Sequence, residues 1–171
     1  MKKTLEIINE LKEQRLIKDY AIGGAIGALR WTEPFFTRDL DILIILYQEI
    51  KEKELIFLTP IYEYLKNRGC QWEGQWIIIG GVPVDFIVAD KLATEAIENA
   101  SQTEYDNVEV KVVVPEYLIA LFLKAGREKD MMKIEMLLRE TEIDIEKLDN
   151  ILNRYGLIDK FVKFKEKYYG K

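Results

Sequence analysis

Histidine is missing from all 171 residues. Its absence removes Ser-His and Cys-His nucleophile pairs, the usual zinc sites and imidazole bases, so any acid–base work falls to carboxylates, Lys, Tyr or water. Cysteine is nearly absent as well: Cys70 stands alone, which rules out an internal disulfide and makes the cytoplasm the expected compartment. Positive charge is not in excess, with 25 Lys and Arg against 30 Asp and Glu and a formal net charge of -5. A protein that coats nucleic acid over its whole surface is thereby excluded, although a local basic patch is not. No apolar run approaches membrane-spanning length, and the opening M-K-K-T-L-E-I-I-N-E-L-K-E-Q is broken by charge too often to be a signal-peptide core. No membrane partner is expected. What is present is apolar material for a core, 49% hydrophobic residues beside 32% charged ones. The length suits one domain with a small appended part, read here as a core over 1–114 and a helical part over 115–171.

The chain is organised around the stretch from Tyr20 to Leu46. A short apolar run over Asp19 to Ile22 reads as a first strand and breaks at Gly23-Gly24, where a strand turns into a helix and backbone N–H groups can hold phosphate. A loop around Pro34 leads through Thr37 to Asp39-Leu40-Asp41, which enters the apolar run Ile42 to Tyr47. So short and so apolar a run reads as a central strand buried on both faces. Alternation puts Asp39 and Asp41 on one face of it. Two like charges at such a place repel unless a cation lies between them, and oxygen ligands without His or Cys suit a hard cation such as magnesium.

Around this centre the pattern is mostly helical. Thr4 to Lys18 is amphipathic, with Thr4 as its cap, and Lys51 to Arg68 reads as two helical pieces parted near Thr59-Pro60. Trp76 to Val88 is a hairpin around Gly80-Gly81, and Pro83 implies that its second strand has no neighbour at that residue. Asp85 lies in the middle of that second strand, among Val84, Phe86, Ile87 and Val88. An unpaired buried charge is costly, so Asp85 belongs either to a salt bridge or to a site. Asp90 reads as the cap of a helix from Lys91 to Ala100. Asp106 to Val114 alternates as a half-exposed edge strand, and Pro115 starts helices over Glu116 to Lys124 and Glu128 to Glu140. Ile145 to Arg154 and Leu157 to Tyr168 are two further helices. The last interleaves Lys160, Lys163, Lys165 and Lys167 with Phe161, Phe164, Tyr168 and Tyr169, a pattern of an amphipathic packing helix or, alternatively, of an RNA-contacting surface.

Gly23-Gly24 followed by Thr37-Arg38-Asp39-Leu40-Asp41 resembles the signature of the nucleotidyltransferase superfamily, with its polymerase-beta-like fold. With Glu33-Pro34 ahead of it, the string is similar to small bacterial and archaeal members related to abortive-infection toxins of the AbiEii type; many of those carry Arg where this chain has Phe35. The run Lys124-Ala-Gly-Arg127-Glu-Lys129-Asp130 resembles a second motif of the same group, which often has Asp where this chain has Lys133. The resemblance implies an α/β fold, a mixed sheet flanked by helices with a helical C-terminal part. It implies Asp39, Asp41 and Asp85 as catalytic carboxylates holding Mg2+ or Mn2+. It further implies that Gly23 and Gly24, with Thr37, Lys124 and Lys129, bind the phosphates of an NTP substrate. The activity implied is transfer of a nucleoside monophosphate to an acceptor, whether tRNA, a protein or a small molecule. A degenerate nucleotide-binding module and the toxin of a toxin–antitoxin pair, with an antitoxin as partner, are the alternatives.

Overall fold

Strand pairing places the first strand, β1 (Asp19–Ile22), antiparallel to β2 (Leu40–Ile45). In the computed structural model, which describes residues 1–47 and 58–170, five further strands complete a mixed sheet: β3 (Gln71–Glu73), β4 (Trp76–Ile79), β5 (Val82–Val88), β6 (Ser101–Tyr105) and β7 (Val108–Val112). Their order is β3-β4-β5-β2-β1-β7-β6, with β2 parallel to β5 and β1 parallel to β7. β2 is therefore central, and its residues 42–45 are buried.

Two hairpins have the same local cause. Gly80 and Gly81 (φ +57° and +82°) supply the two left-handed residues of a tight turn whose twist matches the strands. Asp106 and Asn107 (φ +50° and +64°) do the same between β6 and β7, their short polar side chains tolerating that conformation. This second hairpin corrects the sequence reading of one edge strand over 106–114. Val108–Val112 lies between β1 and β6, and the edge is β6, a polar strand without an apolar alternation. Pro83 also differs from expectation, since it stands across from Ile78. The two-residue turn makes that a pair without hydrogen bonds, so the missing N–H falls on the β2 side. There, pairing begins only at Leu40 and Val84.

Eight helices among the described residues cover the sheet: α1 (Lys2–Glu13), α2 (Gly24–Ala28), α3 (Thr59–Asn67), α4 (Lys91–Glu98), α5 (Pro115–Ala125), α6 (Glu128–Glu140), α7 (Ile145–Arg154) and α8 (Ile158–Tyr169). Leu5, Ile8 and Leu11 of α1 with Ile61 and Leu65 of α3 bury Ile42, Ile44, Val84 and Phe86 on one face. Leu92, Leu118, Phe122, Ile134, Leu152, Phe161 and Phe164 bury Leu43 and Ile45 on the other. The split of residues 42 and 44 from 43 and 45 follows the two-residue period of a strand. Phe161 and Phe164 make α8 a packing helix, and Lys167 on its outer side pairs with Glu128 at 2.7 Å. Pro60 sits in the first turn of α3; the helical piece expected from Lys51 lies outside the described residues. Cys70 is free and buried, and burial pushes its thiol up. No helix among the described residues is long and apolar enough to cross a membrane.

Thr4 is not a cap. It lies inside α1, fully buried, and its hydroxyl donates to the Ile79 carbonyl of β4 at 2.8 Å. Thr4→Val keeps the shape and removes one buried hydrogen bond to that carbonyl, which costs about 0.5–1.5 kcal/mol. Thermal melting of Thr4→Val beside Thr4→Ser checks this: the first variant melts several degrees lower, and the second stays near the parent.

Candidate active site

The β2–β5 register sets Asp41 directly beside Asp85 on adjacent parallel strands. Both side chains point to the face opposite Leu40, Ile42, Val84 and Phe86, toward the C-terminal helices. Asp39 lies one residue ahead of β2. Among the described residues, no hydrogen bond or ion pair relieves Asp41 or Asp85. Burial first, then Asp39 and Asp85, push the Asp41 carboxyl up to about 6, against the opposing fields of Arg127 and Lys133. Asp85 is raised as well, by burial and then by Asp39, with Arg127 opposing. The salt-bridge alternative for Asp85 thus has no partner among the described residues.

Gly24 is what lets Asp41 sit there. Its φ of +54° is left-handed, and a Cβ on it would fall 1.7 Å from Asp41 Oδ2. Gly23 differs from the expectation of a phosphate-facing amide: its N–H donates to the Asp41 carbonyl at 3.0 Å, continuing the β1–β2 pairing. Gly24 is left as the glycine at the site. Thr37 is half-buried in the irregular segment before β2 and makes no side-chain hydrogen bond among the described residues. Phe35, at the place where the resembling proteins carry Arg, packs against the core of the helical face.

The second motif is arranged differently from the way its sequence reads. Lys124 is ion-paired with Asp90, which caps α4 by accepting from the Ala93 N–H at 2.9 Å; it is turned to that cap and not to the carboxylate pair. Lys129 is exposed and has no ionic partner among the described residues. The cations whose fields reach Asp41 are Arg127 and Lys133. Both bind Asp130, which is fully buried: Arg127 Nε at 2.6 Å and Lys133 Nζ at 2.8 Å. The signal that could have found this group is the spacing of 127, 130 and 133, which stacks opposite charges along one helix face.

No group of three His, Cys, Asp or Glu side chains is gathered closely enough to hold a metal ion among the described residues. The three-carboxylate cluster that the resemblance implies is therefore represented by the Asp41–Asp85 pair, with Asp39 acting on both through its charge. The donor chemistry fits a hard divalent cation: oxygen only, without a hydrogen-bond donor to either paired carboxylate among the described residues, and with mutual repulsion that such a cation relieves.

No protein-family model matches the sequence, and no curated protein sequence matches it. Solved structures do. The chain is similar to an antigenic nucleotidyltransferase-like protein from Paracoccidioides brasiliensis, at 15% identity and TM-score 0.56 over 95% of this chain and 90% of that one. It is similar to the antibiotic-resistance factor ANT(2'')-Ia in solution, at 13% identity and TM-score 0.50 over 98% and 97%. The crystal structure of ANT(2'')-Ia in complex with adenylyl-2''-tobramycin matches at 15% identity and TM-score 0.50 over 92% and 96%. At such identities the likeness is one of fold, and the fold of this chain is that of the nucleotidyltransferases.

Proposed function

We propose that the chain is a metal-dependent nucleotidyltransferase that moves a nucleoside monophosphate from an NTP to a hydroxyl-bearing acceptor. The observation that carries this reading is the Asp41–Asp85 pair, two neighbouring carboxylates left without a side-chain partner among the described residues, in this fold. In the reaction, a bond forms between the acceptor oxygen and the α-phosphorus while the bond to pyrophosphate breaks. Mg2+ or Mn2+, held by Asp41 and Asp85 with the charge of Asp39 beside them, would supply charge neutralisation at the phosphates and a lowered pKa for the acceptor hydroxyl. Asp41 and Asp85 present their oxygens from rigid strands, Gly24 keeps Asp41 in place, and half-buried Thr37 offers a hydroxyl nearby in the chain. Orientation and charge carry the chemistry, so the lack of histidine is no obstacle.

A solved structure of similar fold contains an adenylylated aminoglycoside, which supports a small molecule as one acceptor class. The resemblance of the two motifs to proteins related to abortive-infection toxins adds tRNA and protein to the candidates, and an antitoxin to the candidate partners. The test is incubation of the full chain with each α-labelled NTP, Mg2+ or Mn2+, and small-molecule, tRNA or protein acceptors. Label appearing on one acceptor class with release of pyrophosphate is the expected result. Nucleotide binding without pyrophosphate release in any combination would instead identify a non-catalytic nucleotide-binding module.

A further inference from the structure

We propose that Arg127 is the cation that grips the polyphosphate of the nucleotide, and that the buried Asp130 is the positioning residue that aims it. The proposal rests on the reading of the Asp41–Asp85 face as a nucleotidyltransferase centre.

Asp130 has no exposed surface, and an isolated carboxylate there would be costly. Two cations balance it, and they are not equivalent. Lys133 is buried; its ammonium donates to Asp130 Oδ1 at 2.8 Å and lies 5.4 Å from the centre of the Phe122 ring. Both contacts hold it inside. Arg127 spends only Nε on Asp130, at 2.6 Å, and half of its side chain is exposed (52%). Its terminal amino groups make no hydrogen bond among the described residues. One carboxylate between two cations leaves a net positive charge, and Lys133 is the one locked away, so Arg127 presents it. Anchored through Nε, the guanidinium plane is fixed and its outer edge is open, a fork that matches two oxygens of a phosphate chain.

Its position suits the role. Arg127 caps α6, just after Gly126 turns the chain (φ +66°) out of α5. Both α5 and α6 pack on α2, the helix that starts at Gly24 beside Asp41. The charge of Arg127 is felt at Asp39, Asp41 and Asp85. The two lysines of the same motif lack this arrangement: Lys124 is tied to Asp90, and Lys129 has nothing to fix its direction among the described residues.

The test is calorimetric binding of inorganic tripolyphosphate to the full chain at low salt, with and without Mg2+. Arg127→Gln and Arg127→Lys should each weaken binding about 10- to 100-fold, the lysine failing because it offers a point charge in place of a fork. Asp130→Asn alone strands two cations and is at risk of misfolding. It is therefore paired with Lys133→Met, which removes one of the two stranded cations and keeps the net charge of the group as in the parent; this double variant should melt as a folded protein and lose binding by a similar factor. In a transfer assay the same variants should raise KM for NTP more than they lower kcat. Tripolyphosphate binding that is absent in the parent, unchanged in Arg127→Gln, or lost in Lys129→Ala instead, overturns the proposal. Binding through Arg127 without transfer from any NTP leaves it standing and defeats the enzymatic reading instead.

Discussion

Asp41→Asn should abolish most nucleotide transfer and, in metal-free buffer, make the protein more stable. The loss is expected to be about 100- to 1000-fold or more, since removing one charged ligand takes away neutralisation where the phosphates react. The gain in stability follows from the carboxyl, pushed from an ordinary 3.8 to about 6 by burial and by Asp39 and Asp85. The folded state holds this proton more tightly than the unfolded chain does. The stability contributed by the protonated group is in place below about pH 4 and is lost as the pH rises through about 6. Asn does not titrate, so the variant and the parent should differ little at acid pH and most above pH 6. A shift of about two units corresponds to on the order of 2–3 kcal/mol. For a chain of this length that is roughly 5–10 °C in melting temperature. Melting curves from pH 4 to pH 8, without metal and then with Mg2+, check the sign. Mg2+ should raise the parent and leave the variant nearly unmoved. Asp85→Asn should move in the same direction. If it melts well below the parent without metal, a cationic partner is holding Asp85 in the fold, and its place as a metal ligand fails.

Gly24→Ala should be as damaging to transfer while moving stability the other way. Alanine is strained at φ +54°, and its Cβ would stand 1.7 Å from Asp41 Oδ2, so the carboxylate must leave its position. The left-handed backbone alone costs about 1–2 kcal/mol, and displacement of a buried side chain brings the loss to roughly 2–4 kcal/mol. Gly81→Ala is the control, because it shares the left-handed backbone (φ +82°) but has nothing within 4 Å of the new methyl group. Thermal melting of the two variants separates strain from collision, and transfer should fall only in Gly24→Ala. Parental transfer by Gly24→Ala would show that the site does not depend on that contact.

The centre of the sheet was legible because burial writes itself into sequence there. Asp19–Ile22 is the strand its apolar run describes, and Asp41 and Asp85 stood out as carboxylates in apolar strands. Pro115 and Gly126 marked the two ends of α5, and Gly156 the break after α7, equally well. The edges were not legible. β3 and β6 expose most of their side chains, so they carry no alternation to read. The direction of a side chain was harder still. Thr4 looks like a cap until β4 lies across it, and Gly23 looks free until its amide meets the Asp41 carbonyl. Charges on α6 resemble a solvated helix face, and only the packing of α5 against α6 shows that Asp130 and Lys133 are inside it.

The strand order also dictates when, during synthesis, the paired carboxylates first meet. β1 and β2 pair with each other and both precede β5 in the chain, so Asp41 is synthesised before its future neighbour. Only after the Trp76–Val88 hairpin has emerged does β5 dock along β2 and bring Asp85 beside it. β7 arrives later still, to close the second edge of β1 at Ile22 and Val112. A nascent chain that stops before Asp85 therefore carries Asp39 and Asp41 without the added repulsion of Asp85. The docking of β5 joins the apolar partners Ile42 with Phe86 and Ile44 with Val88 in the same motion that forces the two acids together. The unfavourable contact is thus made only when the hydrophobic contacts that offset it are made.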